Sequence, residues 1–320
     1  MNIPWVEKYR PTELDSIILD EHLLKKLKNY TKENFTHLLF YGPPGIGKTT
    51  TALNIVRKLI KDKENFLELN ASDNRGINML SDFAQTFCKS RGSEGIKIII
   101  LDEADNITKK AQERLINFIE NYPYIKFIFT CNDVTQIIES LQSRCTLIKF
   151  TKPVLKDVEK IIKHIFLCEK IKFTPRIIPE LLLNSDFDIR KSINNMEAIY
   201  YLNGKITLSN TLKYFNRPST HSIINLIHGC LKNNTKDKSM ECVLEIVKNG
   251  LNILDLIITI INIFENYDNF EMYFTIFPIS YDTGIKILEI AHKNYYRIIQ
   301  SCESDLQLIS FMYEIIEIET

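Results

Sequence analysis

The eight residues Gly42-Pro43-Pro44-Gly45-Ile46-Gly47-Lys48-Thr49 restrict what this chain can fold into more than any other segment. They fit the pattern G-x-x-x-x-G-K-[ST]. The apolar run 37–41 precedes them, and helical spacing follows, with Ala52, Ile55, Val56, Leu59 and Ile60 on one face. Glycines let the backbone curl so that its N–H groups converge on an anion, and the helix behind adds the positive end of its dipole. Lys48 then supplies a point charge to a β- or γ-phosphate, and the Thr49 hydroxyl suits Mg2+. Gly42 to Thr49, with Thr50 in the first helical turn, are therefore the candidate residues for binding the phosphates of a nucleotide. Strand, loop and helix in this order also predict a parallel α/β sheet with right-handed crossovers.

The rest of the first half reads the same way. Residues 66–69, 96–101, 126–130 and 146–150 are short apolar runs with strand character, and the almost unbroken run 96–101 suits a strand covered on both faces. Thr108 is placed to cap a helix over 109–121 whose inward face is Ala111, Leu115, Phe118 and Ile119. The run Ile98-Ile99-Ile100-Leu101 ends in Asp102 and Glu103. At the C-terminal edge of a parallel sheet such acids stand beside the nucleotide, so Asp102 is expected to hold Mg2+ through water and Glu103 to polarise the attacking water.

Past Thr151-Lys152-Pro153 no convincing strand remains. The expected division is an α/β domain over 1–151, a small helical domain over 152–216 and a second all-helical domain over 217–320. Lys plus Arg is 40 and Asp plus Glu is 40, a net charge of zero, which excludes a generally basic coat as a means of holding DNA. The seven cysteines form no C-x-x-C pair, which argues against a zinc knuckle or redox dithiol and fits a reduced intracellular protein. The most apolar stretch, 253–264, is interrupted by Asp255 and Asn262 and is too short and polar to span a bilayer. No apolar signal region opens the chain.

With Ala104-Asp105 completing a D-E-A-D box, the two motifs resemble those of AAA+ ATPases. Three further segments narrow the likeness: Trp5-Val6-Glu7-Lys8-Tyr9-Arg10-Pro11, the box Leu67 to Gly76, and Leu141-Gln142-Ser143-Arg144-Cys145. Together they look like the signature boxes of clamp-loader small subunits of the replication factor C type. The similarity is clear over about residues 3–200. Beyond 216 only length and helical character agree.

The resemblance carries roles with it. Val6, Tyr9, Arg10 and Pro11 match the box that wraps the adenine. Asn132 matches the first sensor, which meets the γ-phosphate or orients water. Arg144 matches the arginine presented to ATP on a neighbouring subunit, so hydrolysis would require assembly. Asp188-Ile189-Arg190 matches the second sensor, with Phe187 where family members usually carry Gly. The helical domain over 152–216 would be a lid, and that over 217–320 an oligomerising collar. The implied partners are other clamp-loader subunits (a hetero-oligomer, expected to be a pentamer), a sliding clamp of PCNA type, and primer–template DNA bound jointly. A nuclear address would follow for a eukaryotic source, a cytoplasmic or viral replication site otherwise.

Two further departures stand out. The Arg expected shortly after Arg75-Gly76 is missing, and Ile116-Asn117 replace paired Arg. Phosphate contact by this subunit is then weaker, or moved to Arg75, Lys89, Arg91, Lys109 or Lys110. The alternatives are another AAA+ DNA motor, homohexameric and of branch-migration or initiation type, and a non-hydrolysing scaffold subunit.

Overall fold

The computed structural model describes residues 3–60, 62–72, 87, 96–153, 155–174, 176–185, 188–215, 219–232, 253–300 and 305–318. The chain divides into two compact units, Met1–Pro153 with Asp188–Lys191, and Val154–Phe187 with Ser192–Thr320.

The first unit is built on a parallel sheet of β1 (Leu38–Tyr41), β2 (Phe66–Asn70), β3 (Lys97–Asp102), β4 (Ile125–Cys131) and β5 (Thr146–Lys149), in the order β2-β3-β4-β1-β5. Helices α1 (Trp5–Lys8), α2 (Glu21–Lys28), α3 (Lys48–Leu59), α4 (Lys109–Asn121) and α5 (Glu139–Gln142) complete it. Side chains alternate across the pleat, which splits the core in two. Leu38, Phe40, Ile98, Ile100 and Ile128 pack with Ala52, Ile55, Val56 and Leu59 of α3. Leu39, Ile99, Leu101, Phe127 and Phe129 pack on the other face with Leu115 and Ile119 of α4. The four apolar residues 98–101 are all fully buried, as their unbroken apolar character predicts for an inner strand.

The strand order is what positions the site. β4 lies between β3 and β1, with Leu101 level with Phe129 and Tyr41 level with Cys131. The three strand ends that carry Asp102, Asn132 and the glycine-rich loop therefore emerge side by side.

Helix α4 starts where expected, but the Thr108 side chain makes no capping bond. Its buried centre is also different, because Gln112 joins Leu115 and Ile119 inside while Ala111 and Phe118 are only half-buried. The Gln112 amide donates to Ile107 O and Gln136 O, both at 3.0 Å, and accepts from Ile138 N at 2.8 Å. A buried polar group is stable only when so satisfied.

Among the described residues the second unit is helical: α6 (Leu155–Cys168), α7 (Ile177–Leu183), α8 (Ile189–Asn203, whose first residues belong with the first unit), α9 (Leu208–Phe215), α10 (Thr220–Leu231), α11 (Ile253–Glu265), α12 (Glu271–Ile276), α13 (Tyr281–Gln300) and α14 (Asp305–Ile316). Its interior includes Ile162 and Phe166, Leu181 and Leu182, Ile257 and Ile260, and Phe311 and Met312. Buried Glu180 on α7 accepts from the first N–H of α10, Thr220 N, at 2.8 Å. The expected division at 216/217 falls within 216–218, outside the described residues.

Candidate nucleotide-binding site

The loop between β1 and α3 turns on Gly47, whose φ of 93° is in the left-handed region that glycine adopts without steric cost. A Cβ there would stand 3.5 Å from Ile17, so the N-terminal arm lies directly against the loop. Lys48 begins α3 and is 8% exposed. Its ammonium donates to Gly42 O at 2.7 Å, Pro43 O at 2.6 Å and Asn132 Oδ1 at 2.9 Å. Burial pushes the Lys48 pKa below the ordinary lysine value, and the positive Arg190 acts in the same direction, while Cys131, Asp102 and Asp105 pull it back up.

Thr49 follows with its hydroxyl 2.9 and 3.0 Å from the two oxygens of Asp102. Hydroxyl and carboxylate oxygens meeting at one point are the hard donors that Mg2+ selects. Among the described residues no group of three or more His, Cys, Asp or Glu side chains could hold a metal alone.

Glu103 adopts a left-handed backbone, φ 56°, and its carboxylate accepts from Asn106 Nδ2 at 3.3 Å. Asn132 stands one residue past β4, its backbone N–H bound by Asp105 Oδ2 at 2.9 Å. Asp188 caps the start of α8 by accepting from Lys191 N at 2.9 Å, and a side chain at Gly45 would collide with its carboxylate. Asp188 thus borders the loop, within the first unit, and Arg190 is near enough for its charge to act on Lys48.

The N-terminal arm reaches α3, the helix that follows the loop. Arg10 Nε donates to Thr50 Oγ1 at 3.3 Å, and Asn54 Nδ2 donates to Pro11 O at 3.1 Å. Val6, Tyr9, Arg10 and Pro11 are half-buried, and Trp5 is buried. Arg144 is held elsewhere, donating to Glu120 Oε1 and to Ser140 O, both at 2.7 Å.

Residues 38–152 match the family described as AAA, ATPase family associated with various cellular activities. The replication factor C small subunit of Sulfolobus acidocaldarius is 34% identical over 97% of this chain and 94% of its own length. A putative replication factor C small subunit of Acanthamoeba polyphaga mimivirus is 31% identical over 99% of this chain and 97% of its own. The chain belongs to the replication factor C small-subunit family.

As a member of this family it is an AAA+ ATPase, and nucleotide binding goes with the fold. The solved RuvB Holliday junction branch migration motor of Thermotoga maritima shares that fold, with a TM-score of 0.54 over 68% of this chain and 79% of its own at 19% identity. Among the described residues no helix is long and apolar enough to cross a membrane.

Of the residues weighed for phosphate contact in place of the usual replication factor C arginines, Lys109 and Lys110 are exposed at the start of α4. Arg75, Lys89 and Arg91 lie outside the described residues, as does Phe187. Two residues at the site were not singled out by sequence reasoning: Thr130, and Asp105 as more than a motif letter. Thr130 is an ordinary strand residue by propensity and carries no local signal.

Proposed function

We propose that this chain is an ATP-binding small subunit of a replication factor C-type clamp loader. In this reading ATP binding and hydrolysis drive the loading of a PCNA-type sliding clamp onto primed DNA. Val6, Tyr9, Arg10 and Pro11 wall the adenine. Gly42 to Thr50 and Arg190 hold the phosphates. Thr49 and Asp102 hold Mg2+, which when bound neutralises phosphate charge. Glu103 polarises the attacking water and Asn132 orients it.

The observation that carries this reading is the position of Arg144. It is engaged by Glu120 and Ser140, while Lys48, Thr49, Asp102 and Asn132 converge without it. A site so arranged is finished by the matching arginine of a neighbour, in a hetero-oligomer, with five subunits the expected number. The viral and archaeal replication factor C small subunits support the assembly by likeness. Net charge of zero fits a DNA attraction generated by the whole assembly, with Ile116 and Asn117 weakening this subunit's share. The segments 152–216 and 217–320 act as lid and collar.

Reconstitution with partner subunits and clamp tests the proposal, scoring ATP-dependent retention of clamp on circular primed DNA. Retention lost with Lys48→Ala and with Arg144→Ala supports it. Hexamers of this chain alone that move along DNA without a clamp would overturn it, and so would retention with no ATP hydrolysis at any stage.

A further inference from the structure

We propose that Thr130 is a positioning residue for the acid pair, and that Asp105 answers it by holding Asn132, so that the ends of β3 and β4 form one clamp. The inference rests on the reading of Asp102 and Glu103 as the acids of a Mg-nucleotide site.

Thr130 is 1% exposed and sits one residue beyond the level Leu101–Phe129 pair. The parallel register therefore turns its side chain to the same face of the sheet as Asp102. Its hydroxyl donates to Asp102 Oδ1 and accepts from Glu103 N at 3.3 Å. A hydroxyl has one proton to give, and here it goes to one acid while a lone pair holds the backbone of the other. That second bond matters because Glu103 is a non-glycine residue in a left-handed conformation. Asn106 N, donating to Glu103 O at 3.0 Å, fixes the other side of the same peptide turn.

Asp105 returns the connection. Its Oδ2 accepts from Asn132 N at 2.9 Å and Asp133 N at 3.3 Å, charge-assisted bonds across the two strand ends. Its Oδ1 is buried with no hydrogen-bond partner among the described residues. The position of Asn132 is thus set by the segment that carries the acids. Thr49 also meets Asp102, but Thr49 belongs to the set that would hold Mg2+. Thr130 does not, so its bond serves orientation alone. Partners of this kind, one step behind a metal ligand, typically change metal affinity by about tenfold or more when removed.

The test uses the purified full chain and a fluorescent ADP, titrated with Mg2+ and with chelator in its place. In the parent, Mg2+ tightens binding. Thr130→Val keeps the volume and removes the hydroxyl. It is expected to shift the Mg2+ concentration for half-maximal tightening upward by about tenfold, with Mg-free affinity unchanged, and Thr130→Ser is expected to restore the parent value. A merely structural role for Thr130 would lower the melting temperature and the active fraction without moving that Mg2+ dependence. Asp105→Ala is expected to leave the Mg2+ dependence unchanged and to lower single-turnover hydrolysis in the partner-containing assembly. Should Thr130→Val not fold, Thr130→Ala decides in the same titration. An unchanged Mg2+ dependence in the folded variant overturns the clamp. Lys48→Ala separates the two readings: if it abolishes ADP binding in that same assay the nucleotide site stands without the clamp, and if it binds like the parent both fall.

Discussion

Lys48 and Asn132 meet at 2.9 Å, although 84 positions separate them in sequence. The bond joins the helix that follows β1 to the end of β4, and it exists because β4 lies beside β1 in the sheet. Lys48 has two other acceptors, the carbonyls of Gly42 and Pro43. Asn132→Ala therefore removes one of three partners and leaves the lysine in place. Single-turnover hydrolysis in the assembly should fall by about 10²-fold, the scale of one lost preorganised donor. Fluorescent-nucleotide affinity of the isolated chain should hardly change. A loss of affinity as large as the loss of rate would show that Asn132 serves binding.

Arg144 and Glu120 form an exposed ion pair at 2.7 Å. Such pairs contribute about 0–1 kcal/mol. Arg144→Ala should leave the unfolding midpoint of the isolated chain nearly untouched, while assembled ATPase drops by about 10³-fold at the sites it completes. Comparing urea curves of the subunit with ATPase of the reconstituted complex checks both halves, and a variant impaired equally in both would count against a role in trans.

Gln112 satisfies two carbonyls and one N–H at once, with no exposure of its own. Gln112→Met fits a similar volume and leaves all three groups without that partner. At about 1–3 kcal/mol for an unsatisfied buried group, and with some relaxation, a loss of about 2–4 kcal/mol is expected in urea unfolding. A cost below about 0.5 kcal/mol, the size of a typical surface change, would mean that water or a neighbour takes over.

Glu180 is a buried carboxyl whose pKa burial pushes up to about 7, against the opposing pull of its bonds with Thr220. Raised above its unfolded value, the group contributes stability that is full below the unfolded pKa of 4.5 and is lost as pH rises through about 7. Ionisation then costs about 3 kcal/mol by pH 8. Glu180→Gln keeps an acceptor for Thr220 N and removes the titration. It should stabilise the chain at pH 8 by about 2 kcal/mol and have little effect at pH 5. Urea midpoints at the two pH values decide, and an equal shift at both would refute the assignment.

The residues that could be read from sequence are those whose chemistry is local. The glycine-rich loop, the start of α3 and the acids closing β3 are each written in a few contiguous residues, because backbone curvature, helix onset and the end of an apolar run are short-range properties. Asn132 and Arg144 came from resemblance, since an Asn after a strand and an Arg in a turn carry no chemistry of their own.

The partners of those residues were decided by tertiary structure alone. No spacing in the chain says that β4 enters the sheet between β3 and β1, and without that order Thr130, Asp105 and Gln112 are unremarkable. Apolar periodicity tells a strand which of its faces to bury, but hydrophobic attraction is non-directional and does not say which strand lies alongside. Hydrogen bonds do have direction. They show which strand lies alongside only once the sheet has brought Asp102 to Thr130 and Asn132 to Asp105.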